Sequence, residues 1–197
     1  MKKFLAILAS LVVVNVYGAT TVPSGEIVFV TSNGGGSNPV LDVGGLTRVG
    51  TGFYGQLYVG LDGNNLQKVG TAIEFNTGGA ALGFIAAPTT VAWNTPLGGT
   101  TMPVGGQGGV YVLRAWSGVG GSTFETASVT VGAKVGSTSP FAITEFGGVK
   151  ADLSVSSAFP FANQHGSLIL STVAVPEPTT VALGLFGAAG LLFRRRK

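Results

Sequence analysis

Between Glu26 and Val173 no ten-residue window keeps a 3.6-residue apolar period without a glycine or proline interrupting it. A helix that packs on one face needs that period. The segment offers instead short apolar or alternating runs bounded by Gly, Asn, Pro and Ser clusters, which is the pattern of many short strands. The runs are EIVFVT (26–31), FYGQLYVG (53–60), TAIEF (71–75), TTVAW (89–93), VYVLRAW (110–116), FETASVTV (124–131), FAITEF (141–146) and SLILSTVAV (167–175). In FETASVTV, alternation places Ala127, Val129 and Val131 on one face and Thr126, Ser128 and Thr130 on the other. That is expected of a strand with one wet face in an antiparallel sheet. Short turns and the lack of βαβ spacing predict an all-β body, an antiparallel β-sandwich over residues 19–173. SNGGGSNP (32–39) and PLGGTTMPVGGQGG (96–109) read as surface loops. RVGT (48–51), KVGT (68–71) and KVGS (134–137) echo one another, but at unequal intervals that exclude a solenoid.

The chain opens with MKKFLAILASLVVVNVYGAT: two lysines, an apolar stretch from Phe4 to Val16, then small residues at Gly18 and Ala19. This is the plan of a secretory signal peptide, here residues 1–18, with cleavage expected between Gly18 and Ala19 by signal peptidase after passage through the export machinery. A stretch of thirteen residues, Ser10 and Asn15 among them, falls short of the roughly 20 apolar residues that span a bilayer as a helix. With both terminal segments set aside, the body holds five cations against seven carboxylates, a net charge of −2 in a chain whose overall charge is +3. No Lys/Arg patch of the kind that neutralises phosphates is present, so nucleic acid is not an expected partner. Cysteine is absent, so neither a disulfide nor a lipid on cysteine can stabilise or anchor the exported chain.

Candidate chemistry in the body is sparse. His165, the single histidine, sits in the polar stretch NQHGS and reads as a solvated turn residue, since a zinc site needs further ligands beside it. No GxSxG nucleophile elbow accompanies the serines and Asp152. SGVGGSTFE (117–125) resembles a phosphate-cradling loop only in its glycines: it lacks the lysine, and strand alternation is expected to follow it, so it reads as a hairpin connection. Asp62, Asn64 and Asn65 offer oxygens for calcium, but one carboxylate is few for an ion taking 6 to 8 oxygens, and an Asp-Gly turn explains the same residues. Trp93, Trp116, Tyr54, Tyr58 and Tyr111 could stack on sugars, although aromatics in alternating strands more often fill a core. Arg114 shares a strand face with Val110, Val112 and Trp116, and its expected carboxylate partner is Glu125. No cofactor, metal site or catalytic residue is expected.

At the other end stands VPEPTTVALGLFGAAGLLFRRRK, residues 175–197. Thr179 to Phe193 is fifteen uncharged, mostly apolar residues, about 22 Å as a helix, short for a hydrocarbon core of about 30 Å unless flanking residues contribute. Arg194, Arg195, Arg196 and Lys197 form a basic stop that holds this end in the cytoplasm. Pro176 and Pro178 force the residues before them, Val175 and Glu177, into extended backbone, displaying Glu177 on a stiff segment at the membrane surface.

VPEP, an apolar helix with spaced glycines, and a terminal RRRK together resemble the PEP-CTERM sorting signal of exopolysaccharide-producing Gram-negative bacteria, here residues 174–197. The resemblance implies recognition by an exosortase, an integral-membrane cysteine transpeptidase, loss of the helix, and delivery to the envelope surface or extracellular matrix. The signature falls on Pro176, Glu177 and Pro178. FYGQLYVG and RAWSGVGGSTFETA also resemble segments of a β-rich domain, without assigned activity, carried by some exported proteins with this signal. The expected function is that of an exported, non-enzymatic surface or matrix protein, transiently held in the inner membrane. The alternatives are an exopolysaccharide-binding module and, less favoured, a secreted hydrolase.

Overall fold

A computed structural model describes residues 22–33, 36–76, 78–85, 89–94, 101–156 and 166–174. Along the chain come β1 (Ser24–Phe29), the short strands β2 (Ser32–Asn33), β3 (Gly36–Ser37) and β4 (Val40–Leu41), then β5 (Phe53–Gly60), β6 (Gln67–Glu74), β7 (Thr89–Asn94) and β8 (Gly109–Ser117). One helical turn, α1 (Phe124–Ala127), precedes β9 (Lys134–Ser137), β10 (Phe141–Ile143), β11 (Gly148–Val149), β12 (Val155–Ser156), β13 (Leu168–Ile169) and β14 (Ser171–Thr172). The described body is mostly strand with little helix, as the broken periodicity predicts.

The principal sheet has the order β14-β9-β8-β5-β6, with β10 also paired to β8. Its centre is the antiparallel ladder of β5 on β8, unbroken from Phe53 opposite Ser117 to Gly60 opposite Val110. Because side chains alternate along a strand, this ladder has two working faces. Leu57, Val59, Tyr111, Leu113 and Ala115 enter the main core, where they meet Ile27 and Phe29 of β1 and Val91 and Trp93 of β7. β1 and β7 form a separate antiparallel ribbon, Ile27 opposite Val91, whose apolar residues share that core. At roughly 1.5–3 kcal/mol for each fully buried large apolar side chain, this shared core dominates stability in a chain without disulfides. One short pair, β13 on β4, is parallel.

A bulge shapes the β5–β6 hairpin. Between Gly55 opposite Ile73 and Leu57 opposite Val69, β6 carries extra residues. Gly70 there adopts φ +63, a conformation that costs glycine little. Its carbonyl accepts a 2.8 Å bond from Gln56 Nε2, which explains why a glutamine is buried at this point.

Four segments differ from the sequence reading. FETASVTV is no strand: Phe124–Ala127 is a helical turn, and Val129 and Val131 are exposed. Thr123 caps it by accepting from the Thr126 N–H at 3.2 Å, and Thr130 Oγ1 closes back on the Thr126 carbonyl. The hairpin expected for SGVGGSTFE is likewise replaced, by a 3-10 turn at Gly118–Gly120 leading into α1. Part of the expected surface loop 96–109 is interior: Met102 and Val104 are buried, and the Pro103 carbonyl accepts from Trp93 Nε1 at 2.9 Å. In 32–39, β2 and β3 pair where only loop was expected.

Candidate functional site

The second face of the principal sheet is where charge, aromatics and a cleft meet. Pairing fixes its layout: Tyr58 stands between Lys68 of β6 and Val112 of β8, Gln56 opposite Arg114, and Tyr54 between Glu74 and Trp116, with Val135 of β9 beyond. α1 lies across this face. Trp116, Ala127 and Ala133 form a small buried cluster flanked by Tyr54, Ala72, Phe124, Val135 and Val173. The Trp116 indole N–H donates to the Gly121 carbonyl at 3.1 Å, tying the glycine-rich turn to the sheet. Phe124 meets both Trp116 and Tyr58 edge-on, with centroids 6.4 Å apart in each case, a favoured aromatic geometry.

Glu125, projected from α1, completes a polar group above the aromatics. The Tyr58 hydroxyl donates to Glu125 Oε1 at 2.5 Å, and Arg114 Nη1 lies 3.5 Å from the same oxygen. The guanidinium stacks 4.0 Å from the Tyr58 ring centroid and 5.0 Å from that of Phe124, within the range of cation–π attraction. Burial pushes the Tyr58 phenol up to about 12, with the hydrogen bond to Glu125 adding to the rise and Arg114 opposing it. For Glu125 burial acts upward, but the Tyr58 hydrogen bond, with the charges of Lys68 and Arg114, outweighs it and holds the carboxyl below its ordinary value. The group therefore keeps a neutral phenol, a carboxylate and a guanidinium at neutral pH. Such a set fixes α1 to the sheet; neither the phenol nor the carboxylate is poised to exchange a proton near pH 7.

Beside this group lies a half-open cleft of about 420 Å³ lined by Tyr54, Ala72, Gly118, Gly121 and Ser122. Tyr54 is its half-buried aromatic wall. The remaining aromatics singled out in the sequence do not reach solvent as a platform: Trp116 and Tyr111 are fully buried, Tyr58 and Trp93 nearly so. Both indole N–H groups bond backbone carbonyls.

The Arg114–Glu125 pair expected from strand alternation forms, although Glu125 arrives from a helical turn rather than a hairpin. Asp62 serves its own turn, its Oδ1 accepting from the N–H groups of Asn64 at 2.8 Å and Asn65 at 3.0 Å, and these bonds hold its carboxyl below the ordinary value. Among the described residues no group of three or more His, Asp or Glu side chains is disposed to hold a metal. The helical turn after SGVGGSTFE removes one reason against a phosphate loop, but the missing lysine stands and α1 is only four residues long. Sequence reasoning overlooked α1; Thr123, a favoured N-cap residue type directly before Phe124, with Glu125 in the first turn, was the signal that could have found it.

Gly18, Ala19, His165, Pro176, Glu177, Pro178 and Arg194, Arg195, Arg196 and Lys197 lie outside the described residues, as do the apolar stretches 4–16 and 179–193. Among the described residues no helix is long and apolar enough to cross a membrane. The Val173 N–H donates to the Ala133 carbonyl at 2.7 Å, and its carbonyl accepts from Gly132 at 3.0 Å, so the described residues before the C-terminal segment end beside the Trp116 cluster.

What leaves there has a family assignment. Residues 174–197 match the family model of the PEP-CTERM protein-sorting motif. The chain carries a PEP-CTERM sorting signal. The signal supports export to the surface or extracellular space, with exosortase as the processing partner. Comparison with curated proteins and with solved structures returns no match.

Proposed function

We propose that this protein is an exported, non-enzymatic component of the cell surface or extracellular matrix, anchored briefly by its C-terminal helix and then cleaved by an exosortase. The match of residues 174–197 to the PEP-CTERM motif carries the reading. On it, signal peptidase cuts between Gly18 and Ala19, Thr179–Phe193 spans the inner membrane, and Arg194–Lys197 stays inside. Pro176, Glu177 and Pro178 present the segment to the enzyme. The body is an antiparallel β-sandwich, a description supported by the core that the β1–β7 ribbon shares with the principal sheet. A passive role agrees with the composition of the polar group, in which Glu125 accepts from Tyr58 and pairs with Arg114, whose buried Nε is left without a hydrogen-bond partner.

The test is Glu177→Ala, read in cells. The variant is expected to remain in the membrane fraction with residues 179–197 attached, while wild type is released. Equal release of both would remove the motif from the mechanism.

One observation keeps a second reading in play, namely the cleft walled by Tyr54. A single aromatic ring beside Ser122 and glycine backbone could hold one sugar of an exopolysaccharide. Retention of the body on exopolysaccharide, abolished by Tyr54→Ala, would establish it; retention unchanged by that substitution would exclude the cleft.

A further inference from the structure

Three exposed valines gather where the sorting signal leaves the body. Val119, Val129 and Val131 are 86%, 77% and 50% exposed, although each sits in a well-bonded turn. The Thr130 hydroxyl, between two of them, lies 2.8 Å from the Thr126 carbonyl and 3.1 Å from that of Gly120, the neighbour of the third, its one hydrogen shared between the two. Gly120 in turn approaches α1 so closely that a Cβ there would stand 2.7 Å from that of Ala127. The two turns are thereby locked together, and their valines form one apolar rim. Val131 precedes Gly132, whose N–H bonds the Val173 carbonyl, so the rim adjoins the last rung before Ala174.

Chain length then limits where the rim can be. Residues 174–178 separate that rung from the apolar run beginning at Thr179. Fully extended they reach about 18 Å, at no more than about 3.6 Å per residue. From Ala115 to Ala133 the chain carries a single charged side chain, Glu125, already engaged by Tyr58 and Arg114. The rim is small, exposed and uncharged, which suits a lipid interface.

We propose that, while the C-terminal helix is in the bilayer, Val119, Val129 and Val131 rest in the lipid interface and seat this end of the body on the membrane. The proposal rests on the reading of residues 174–197 as a transient anchor. The opposite end of the sheet, with the exposed β5–β6 turn at Asn64, then points away. The β8 strand between the two ends is about 27 Å long at about 3.3 Å per residue.

The absence of cysteine permits a direct test. The full chain carrying Val129→Cys, or Asn64→Cys as control, is labelled with an environment-sensitive dye and reconstituted into vesicles of phosphatidylethanolamine and phosphatidylglycerol. The Val129→Cys probe is expected to shift to the blue and to be quenched by nitroxide-bearing lipid, while the Asn64→Cys probe does neither. Flotation with the vesicles and no shift at Val129→Cys would overturn the seat and leave the anchor standing. A shift insensitive to the nitroxide lipid and growing with protein density would assign the rim to a second copy and overturn the proposal. Failure of the chain to float would overturn the anchor and the seat together.

Discussion

At the scale of single residues, the Tyr58 phenol shows how the fold sets protonation. Its folded value, about 12, lies above the ordinary 10.0, so the stability it contributes is complete below about pH 10 and is lost as pH rises toward 12. Glu125 has the opposite sign: its value is depressed, so its contribution is present above the ordinary carboxylate range and is lost as pH falls through the lowered value. Titration of tyrosinate absorbance should show a late step near pH 12 that Tyr58→Phe removes, and a step unchanged in that variant would contradict the assignment. The same substitution should cost about 1.5 kcal/mol in denaturant unfolding, at the low end for a hydrogen bond to a charged group because Glu125 is half exposed and keeps Arg114. The two tryptophans give a second check. Both are buried and bonded to backbone, so their emission should be blue and resistant to iodide; strong quenching would contradict the packing.

At the scale of elements, α1 is the part most sensitive to small changes. Thr123→Ala removes its cap and should cost about 1 kcal/mol. Gly120→Ala forces a methyl against Ala127 and Ala133 and should cost about 1–3 kcal/mol, with a red shift of the emission as Trp116 loses its cover. Equal stability of Gly120→Ala and wild type would show that the turn does not pack as described. This element also marks the limit of what the sequence made legible. FYGQLYVG and VYVLRAW were readable because β-branched and aromatic residues fill both faces of a strand, and they coincide with β5 and most of β8. In STFETASVTV, period-2 alternation and a helical spacing of Phe124, Ala127 and Val131 coexist. Capping by Thr123 and the flat Trp116 surface favour the helical turn, and only the first of these is local. Burial of Met102 and Val104 was hidden for a similar reason. Glycine-rich flanks suggested a loop, whereas the Trp93 N–H draws the Pro103 backbone inward.

At the scale of the whole molecule, the C-terminal end is legible because an addressing segment acts through local charge and apolarity, and it matches the PEP-CTERM motif. Sheet order is not legible, since pairing of β8 with β5, β9 and β10 joins segments far apart in the chain. Strand alternation gave the face of Arg114, and Glu125 was named as its partner through a hairpin where α1 stands instead; the cleft at Tyr54 was not readable, because it depends on where α1 and the bulge at Gly70 set Ala72 and the glycine turn. The account makes the C-terminal segment an address that is removed and the body its passive cargo. The intact mass of the protein recovered from the cell surface or medium tests this most directly, because one number reports both ends. A polypeptide beginning at Ala19 and lacking Thr179–Lys197 is the predicted result. A mass that retains the helix and Arg194–Lys197 would contradict it.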